Sequence, residues 1–182
     1  MKRRTKISLA ILLGLLVTLL VLSRFFRMSV VIGQSMDPTL ETWDYCVSRR
    51  VNPYQPRRGD IVTFRTADDP PLYFIKRVIA LPGETLAIEH GLAKINGQPL
   101  PEPYTTVNPR WDLEPTRLPD GKIYVLSDNR TNDMEDYVQG MVAVRLVQSR
   151  LLWHWRWRGL RERFRVKFLP AATAPNQGGG RS

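Results

Sequence analysis

Residues 73–84 read YFIKRVIALPGE. Apolar and aromatic residues ended by a Pro-Gly pair describe a β-strand running into a turn. On such a strand Phe74, Lys76 and Val78 share one face while Tyr73, Ile75, Arg77 and Ile79 share the other. Lys76 therefore sits among apolar neighbours, in a chain where 21 of the 27 basic residues are arginine. Two readings follow from the pattern. An edge-strand lysine guards a sheet against stray pairing, whereas a desolvated lysine loses its proton near neutral pH, which arginine does not.

The same β signature continues on both sides of this stretch. MSVVI, DIVTF, TLAIE, LAKI, KIYVLS and MVAVRLV are short runs rich in Val, Ile and aromatics, divided by turn sequences such as NPYQPRRG, HG, NG and PDG. TLAIEHGLAKINGQPL predicts a hairpin closed by His90-Gly91, with Asn96-Gly97 turning the chain away. Residues 98–119 carry six prolines and predict a long ordered excursion over the surface. The reading is a mostly β domain over residues 28–149, built on a closed or nearly closed sheet.

Upstream lies a different kind of segment. MKRRTK precedes the uncharged run ISLAILLGLLVTLLVL, residues 7–22, and SRFFR follows it. With Arg24 snorkelling, the run reaches the roughly 20 residues that a transmembrane helix needs. A removable secretory leader has the same basic start, but no small-x-small cleavage site follows, so residues 1–27 are read as a cytoplasmic N-terminus and an uncleaved anchor. Lys2, Arg3, Arg4 and Lys6 outnumber Arg24 and Arg27. The positive-inside rule then puts the N-terminus in the cytoplasm and the β domain on the far side of the membrane.

The net charge of +10 raises the question of nucleic acid. Its distribution answers against it. Residues 1–27 hold six basic and no acidic residues, residues 150–167 hold seven basic and one acidic, and the body between them holds 13 basic and 16 acidic. A nucleic-acid binder carries its basic face on the folded body. Residues 150–169 form a basic, Trp-rich tail in which Trp153, Trp155 and Trp157 alternate with His154, Arg156 and Arg158, the mixture found at a membrane–water boundary; the competing reading is a final strand packed on the domain. Residues 170–182, PAATAPNQGGGRS, are expected to be disordered.

Chemistry narrows by elimination. The single Cys46 excludes an internal disulfide, the spacing supports no metal site, and no cofactor motif is present. His90 at a hairpin tip and His154 in the tail offer no Ser-His-Asp triad. What remains is a hydroxyl nucleophile with a lysine base, for which Lys76 is the candidate. Ser35, in VIGQSMDPTL (31–40), stands between Gly33 and Pro38, residues that constrain the turn around it and orient a hydroxyl and a backbone N–H. An ordinary turn serine is the competing reading.

SMDPTL (35–40), RRGDIVTF (57–64), YFIKRVIALPGE (73–84) and LSDNRTNDMEDYVQG (126–140) resemble, in order, the four boxes of bacterial type I signal peptidases. The anchor before them and INGQPLPEPY after the third also fit, so the resemblance covers most of residues 7–147. It implies a membrane-anchored Ser-Lys endopeptidase with a β-rich catalytic domain, which removes signal peptides from exported preproteins after small residues. Ser35 would be the nucleophile and Lys76 its general base. Ser35, Gly33 and Met36 would shape the oxyanion and substrate site, with Asp128, Asn129, Arg130 and Asp133 supporting it. The implied location is the inner (plasma) membrane, with preproteins and lipid as partners, no cofactor, and the oligomeric state unread.

Three positions depart from the family pattern: Asp133, Glu135 and Tyr137 stand where Ser, Asp and Arg are usual. A carboxylate at 133 beside Lys76 would raise the lysine pKa. Two rival functions stay open on the sequence alone: a protein that binds signal peptides without cutting them, and a membrane-tethered β adaptor.

Overall fold

A computed structural model describes residues 3–131, 134 and 139–156. Helix α1, Arg3–Phe25, is followed by strands β1 (Phe26–Val30), β2 (Tyr45–Arg50), β3 (Ile61–Arg65), β4 (Tyr73–Ala80), β5 (Thr85–Glu89) and β6 (Leu92–Ile95). The chain continues through β7 (Gln98–Pro99), β8 (Leu113–Arg117), β9 (Lys122–Leu126), β10 (Gly140–Ala143) and β11 (Val147–Trp155). In α1, residues Ile7–Phe25 are long and apolar enough to cross a membrane, and none of that stretch is buried against the protein. The fold is mostly β behind one apolar helix, as read from the sequence.

All strand pairings are antiparallel and form two sheets. The larger runs β1-β2-β11-β3-β4-β9-β10 and the smaller β7-β6-β5-β8. The expected closed or nearly closed sheet is therefore corrected: among the described residues β1 and β10 are not paired with each other and form the two edges of the larger sheet, and a second sheet stands beside it. Residues 98–119 supply β7 and β8 to that second sheet and bury Trp111. Proline is compatible with this because both strands are edge strands, where one row of N–H groups needs no partner.

The chain leaves the first sheet through Leu81–Glu84 and returns beside Leu118. Gly83 N–H donates to the Leu118 carbonyl at 3.0 Å, and Leu118 N–H to the Glu84 carbonyl at 2.7 Å. The Glu84 carboxylate accepts from Leu81 N–H and from Arg58 Nη2, which fixes the crossing. Alternation along β9 explains how one strand serves both layers. Tyr124 and Leu126 pack with Ile79, Leu86, Ile88 and Trp111 between the sheets, while Ile123 and Val125 pack with Val62, Val78 and Val147 on the opposite face. A third cluster of Val31, Met36, Leu40, Cys46 and Ile61 lies under the segment that carries Ser35.

The boundary drawn at residue 149 does not follow the strand order. β11 lies between β2 and β3 and runs to Trp155, so residues 150–155 belong to the larger sheet and not to a separate tail. Trp153 and Trp155 are nonetheless more than half exposed, with the Trp155 ring tilted against Tyr45 at 6.4 Å between centroids. Residues 157–182, including Trp157 and the stretch expected to be disordered, lie outside the described residues.

Candidate active site

The antiparallel register sets Lys76 of β4 directly opposite Val62 of β3. Strand β3 pairs with β4 along Tyr73–Arg77, whereas the pairing of β9 with β4 spans only Arg77–Ala80. Residues 73–76 thus lie beyond the reach of β9. There a cleft of about 270 Å³ opens, lined among others by Ser29, Ile32, Ser35, Thr63, Phe74 and Lys76. Ser35 and Lys76, 41 positions apart in the chain, face one space.

Lys76 is only 3% exposed. Burial penalises its charged form and pushes its pKa down to about 8, although the Asp128 carboxylate pulls in the opposite direction. An amine in that range is neutral often enough to take a proton near neutral pH.

The backbone around Ser35 is held from several directions. Thr42 Oγ1 donates to the Gly33 carbonyl at 2.8 Å, and Val31 and Trp43 bond across the base of the segment. Met36 and Leu40 are buried beneath it, with Leu40 N–H donating to the Met36 carbonyl at 2.8 Å. Gly33 has φ +112°, a conformation that side chains rarely adopt, although the space around it is open. Asn129 closes the arrangement: its N–H donates to the Ser35 carbonyl at 3.0 Å and its Nδ2 to the Gln34 carbonyl at 2.9 Å. Among the described residues the Ser35 N–H has no backbone acceptor.

Behind this pair lies a buried charge network. Asp128 is fully buried and accepts a two-pronged contact from Arg77, Nε to Oδ1 at 2.8 Å and Nη2 to Oδ2 at 2.6 Å, plus Thr39 Oγ1 at 2.6 Å. The Arg77 guanidinium also lies over the Tyr104 ring, 3.9 Å from its centroid. Arg130, equally buried, forks onto Glu102 at 2.9 and 2.5 Å and packs over Trp111. Sequence reading missed Thr39, Glu102 and Tyr104 as partners. Glu102 and Tyr104 occur in the Pro-rich PEPY segment, but nothing local there pairs them with residues 77 and 130. Asn132, Asp133, Glu135 and Tyr137 lie outside the described residues.

The chain was compared with known proteins. The family model described as "Signal peptidase, peptidase S26" matches residues 4–155. A probable signal peptidase I-1 of Synechocystis sp. is 34% identical over 180 residues, covering 89% of this chain and 90% of that one. A signal peptidase I of Bacillus licheniformis is 33% identical over 140 residues, covering 69% and 74%. Among solved structures, a signal peptidase I from Enterococcus faecalis matches with a TM-score of 0.42 and 26% identity, over 54% of this chain and 98% of that one.

Proposed function

From the premise that the chain belongs to the signal peptidase family, peptidase S26, we propose that Ser35 and Lys76 are the catalytic dyad with which it removes signal peptides from exported preproteins. The protein is a serine endopeptidase by family. The observation that carries the residue assignment is the shared cleft: a half-buried serine and a buried lysine with a depressed pKa line one space.

The reaction follows from that arrangement. The preprotein lies extended along the part of β4 that β9 does not reach, where backbone pairing adds it to the sheet as a further strand. Neutral Lys76 takes the Ser35 hydroxyl proton as Oγ attacks the scissile carbonyl. The Ser35 N–H, oriented by the Gly33 turn and by Asn129, stabilises the oxyanion, and Met36 backs the turn from the core. Lys76 then gives its proton to the departing amine. Water, deprotonated by the same lysine, releases the acyl group from Ser35. Asp128, Asn129 and Arg130 support the site through the ion pairs and backbone bonds described above; Asp133 joins this group on sequence grounds alone.

The family and the apolar helix make the protein membrane-anchored. The finer reading is a single-pass protein of the plasma membrane, with a cytoplasmic N-terminus and an extracytoplasmic catalytic domain from residue 28. The excess of basic residues before α1 supports it. The exposed Trp153 and Trp155 support contact of the sheet with lipid.

The test is cleavage of a signal-bearing preprotein by the detergent-solubilised full chain beside Ser35→Ala, with products sized by mass spectrometry. Cleavage after a small residue that vanishes in the variant is expected. Undiminished cleavage by Ser35→Ala would refute the dyad, and substrate binding without cleavage by the native chain would favour a binding-only role.

A further inference from the structure

A second cavity, of about 370 Å³, opens where the apolar span ends; its lining includes Phe25, Arg49, Arg50, Tyr54, Arg57 and Arg150, and no Asp or Glu. It is separate from the cleft that holds Ser35 and Lys76. Strand pairing enforces the crowding of cations. Arg49 sits directly between Phe26 of β1 and Arg150 of β11, so two arginines oppose each other on neighbouring strands, an arrangement that repels unless an anion intervenes.

The protein's own acids answer only part of that charge. Arg150 lies 3.5 Å from Asp60, whose other oxygen accepts from Tyr54. Arg50 donates through Nε to the Ser23 carbonyl at 3.2 Å, which ties the cavity to the last turn of α1. Arg49 and Arg57 are exposed and form no ion pair among the described residues.

We propose that this cavity binds the phosphate headgroup of an anionic phospholipid. The guanidinium fork suits phosphate oxygens, which it meets through paired N–H donors. The position selects a lipid over a soluble anion. Phe25 and Phe26 are exposed at the end of the span, so acyl chains descend along α1 while the headgroup meets the arginines. Binding there would seat the larger sheet at a fixed height on the bilayer. The inference rests on α1 spanning a membrane and is independent of the roles given to Ser35 and Lys76.

The test uses the detergent-purified full chain in mixed micelles containing phosphatidylglycerol or phosphatidylcholine, with retained lipid counted by native mass spectrometry. Arg49→Gln/Arg57→Gln is compared with Arg110→Gln/Arg117→Gln, an equal charge loss at exposed positions outside the cavity lining. The native chain and the control variant are expected to retain phosphatidylglycerol about tenfold over phosphatidylcholine, with the preference lost in Arg49→Gln/Arg57→Gln. Millimolar glycerol phosphate is expected not to compete. An unchanged preference in Arg49→Gln/Arg57→Gln, an equal loss in both variants, or displacement by glycerol phosphate would each overturn the lipid site. Preprotein cleavage by the same variants in lipid-free detergent reads the active site separately.

Discussion

Asn129 grips the backbone on both sides of the Gln34–Ser35 peptide, its N–H donating to the Ser35 carbonyl at 3.0 Å and its Nδ2 to the Gln34 carbonyl at 2.9 Å. The residue sits just past β9, next to the buried Asp128, so the charge network and the serine turn are joined through one side chain. Replacing Asn129 with Ala removes the Nδ2 bond, together with the two bonds that its Oδ1 accepts from Thr131 N–H and Oγ1, and leaves the backbone bond to the serine turn in place. One such bond is worth about 1 kcal/mol, which corresponds to a loss of about fivefold to tenfold in kcat if it serves to aim Ser35. KM should stay nearly constant, and steady-state kinetics on a preprotein or peptide separates the two. A pure KM effect would show that Asn129 contacts substrate instead.

Lys76 must be neutral to act as base, so activity should rise with pH along a limb centred near its pKa of about 8. Asp128 raises that pKa through its charge. Asp128→Asn should therefore move the limb to lower pH, although the variant also strips Arg77 of its buried partner and should lose on the order of 3 kcal/mol of stability. A pH–kcat/KM profile of each protein, taken below its melting temperature, checks the direction. A limb that moves upward, or a native limb far from 8, would count against Lys76 as the titrating group.

The sequence shows Lys76 as an oddity, and the structure supplies its reason, because strand alternation and register are local rules that a short stretch obeys. Hairpin β5–β6 was legible for the same cause: His90 and Asn96 both have positive φ ahead of glycines, as their turns required. Sheet closure and β11 were not legible. RLLWHW carries the alternation of a strand, but its arginine and tryptophans also suit a membrane surface, and only the pairing with both β2 and β3 shows that these residues are a strand of the larger sheet. The partners Thr39–Asp128 and Glu102–Arg130 are 89 and 28 residues apart, and no periodicity links such positions.

A buried amine held partly charged weakens the fold. The pKa of Lys76 falls from 10.5 in the unfolded chain to about 8. Between these values the unfolded state binds more protons, so stability rises with pH across that window, and the full cost applies below about pH 8. Lys76→Met, which keeps the length without the charge, should therefore stabilise the catalytic domain by up to about 3 kcal/mol at pH 7. Its advantage should shrink above pH 8 and disappear beyond pH 10.5. Such a variant is expected to be inactive under the proposed dyad, so stability is read by thermal or denaturant unfolding at several pH values. A destabilised Lys76→Met at pH 7 would mean that the ammonium is held by compensating contacts and is not poised to lose its proton.

Gly33 tests whether the serine turn stores its geometry in the backbone. A Cβ there meets nothing within 4 Å, so any cost of substitution comes from φ +112° and not from crowding. Holding a residue with a side chain in such a region costs about 1–3 kcal/mol. Gly33→Ala and Gly33→Ser should thus lose similar stability, even though the serine brings a hydroxyl that could reach an oxyanion. Their kinetics should then differ: Gly33→Ala should lose kcat by relaxing the turn, and Gly33→Ser should recover part of that loss if its hydroxyl donates to the oxyanion beside the Ser35 N–H. Unfolding curves and kcat for the pair decide it. Full stability in both variants would show that the turn accommodates side chains and that Gly33 is not what orients Ser35.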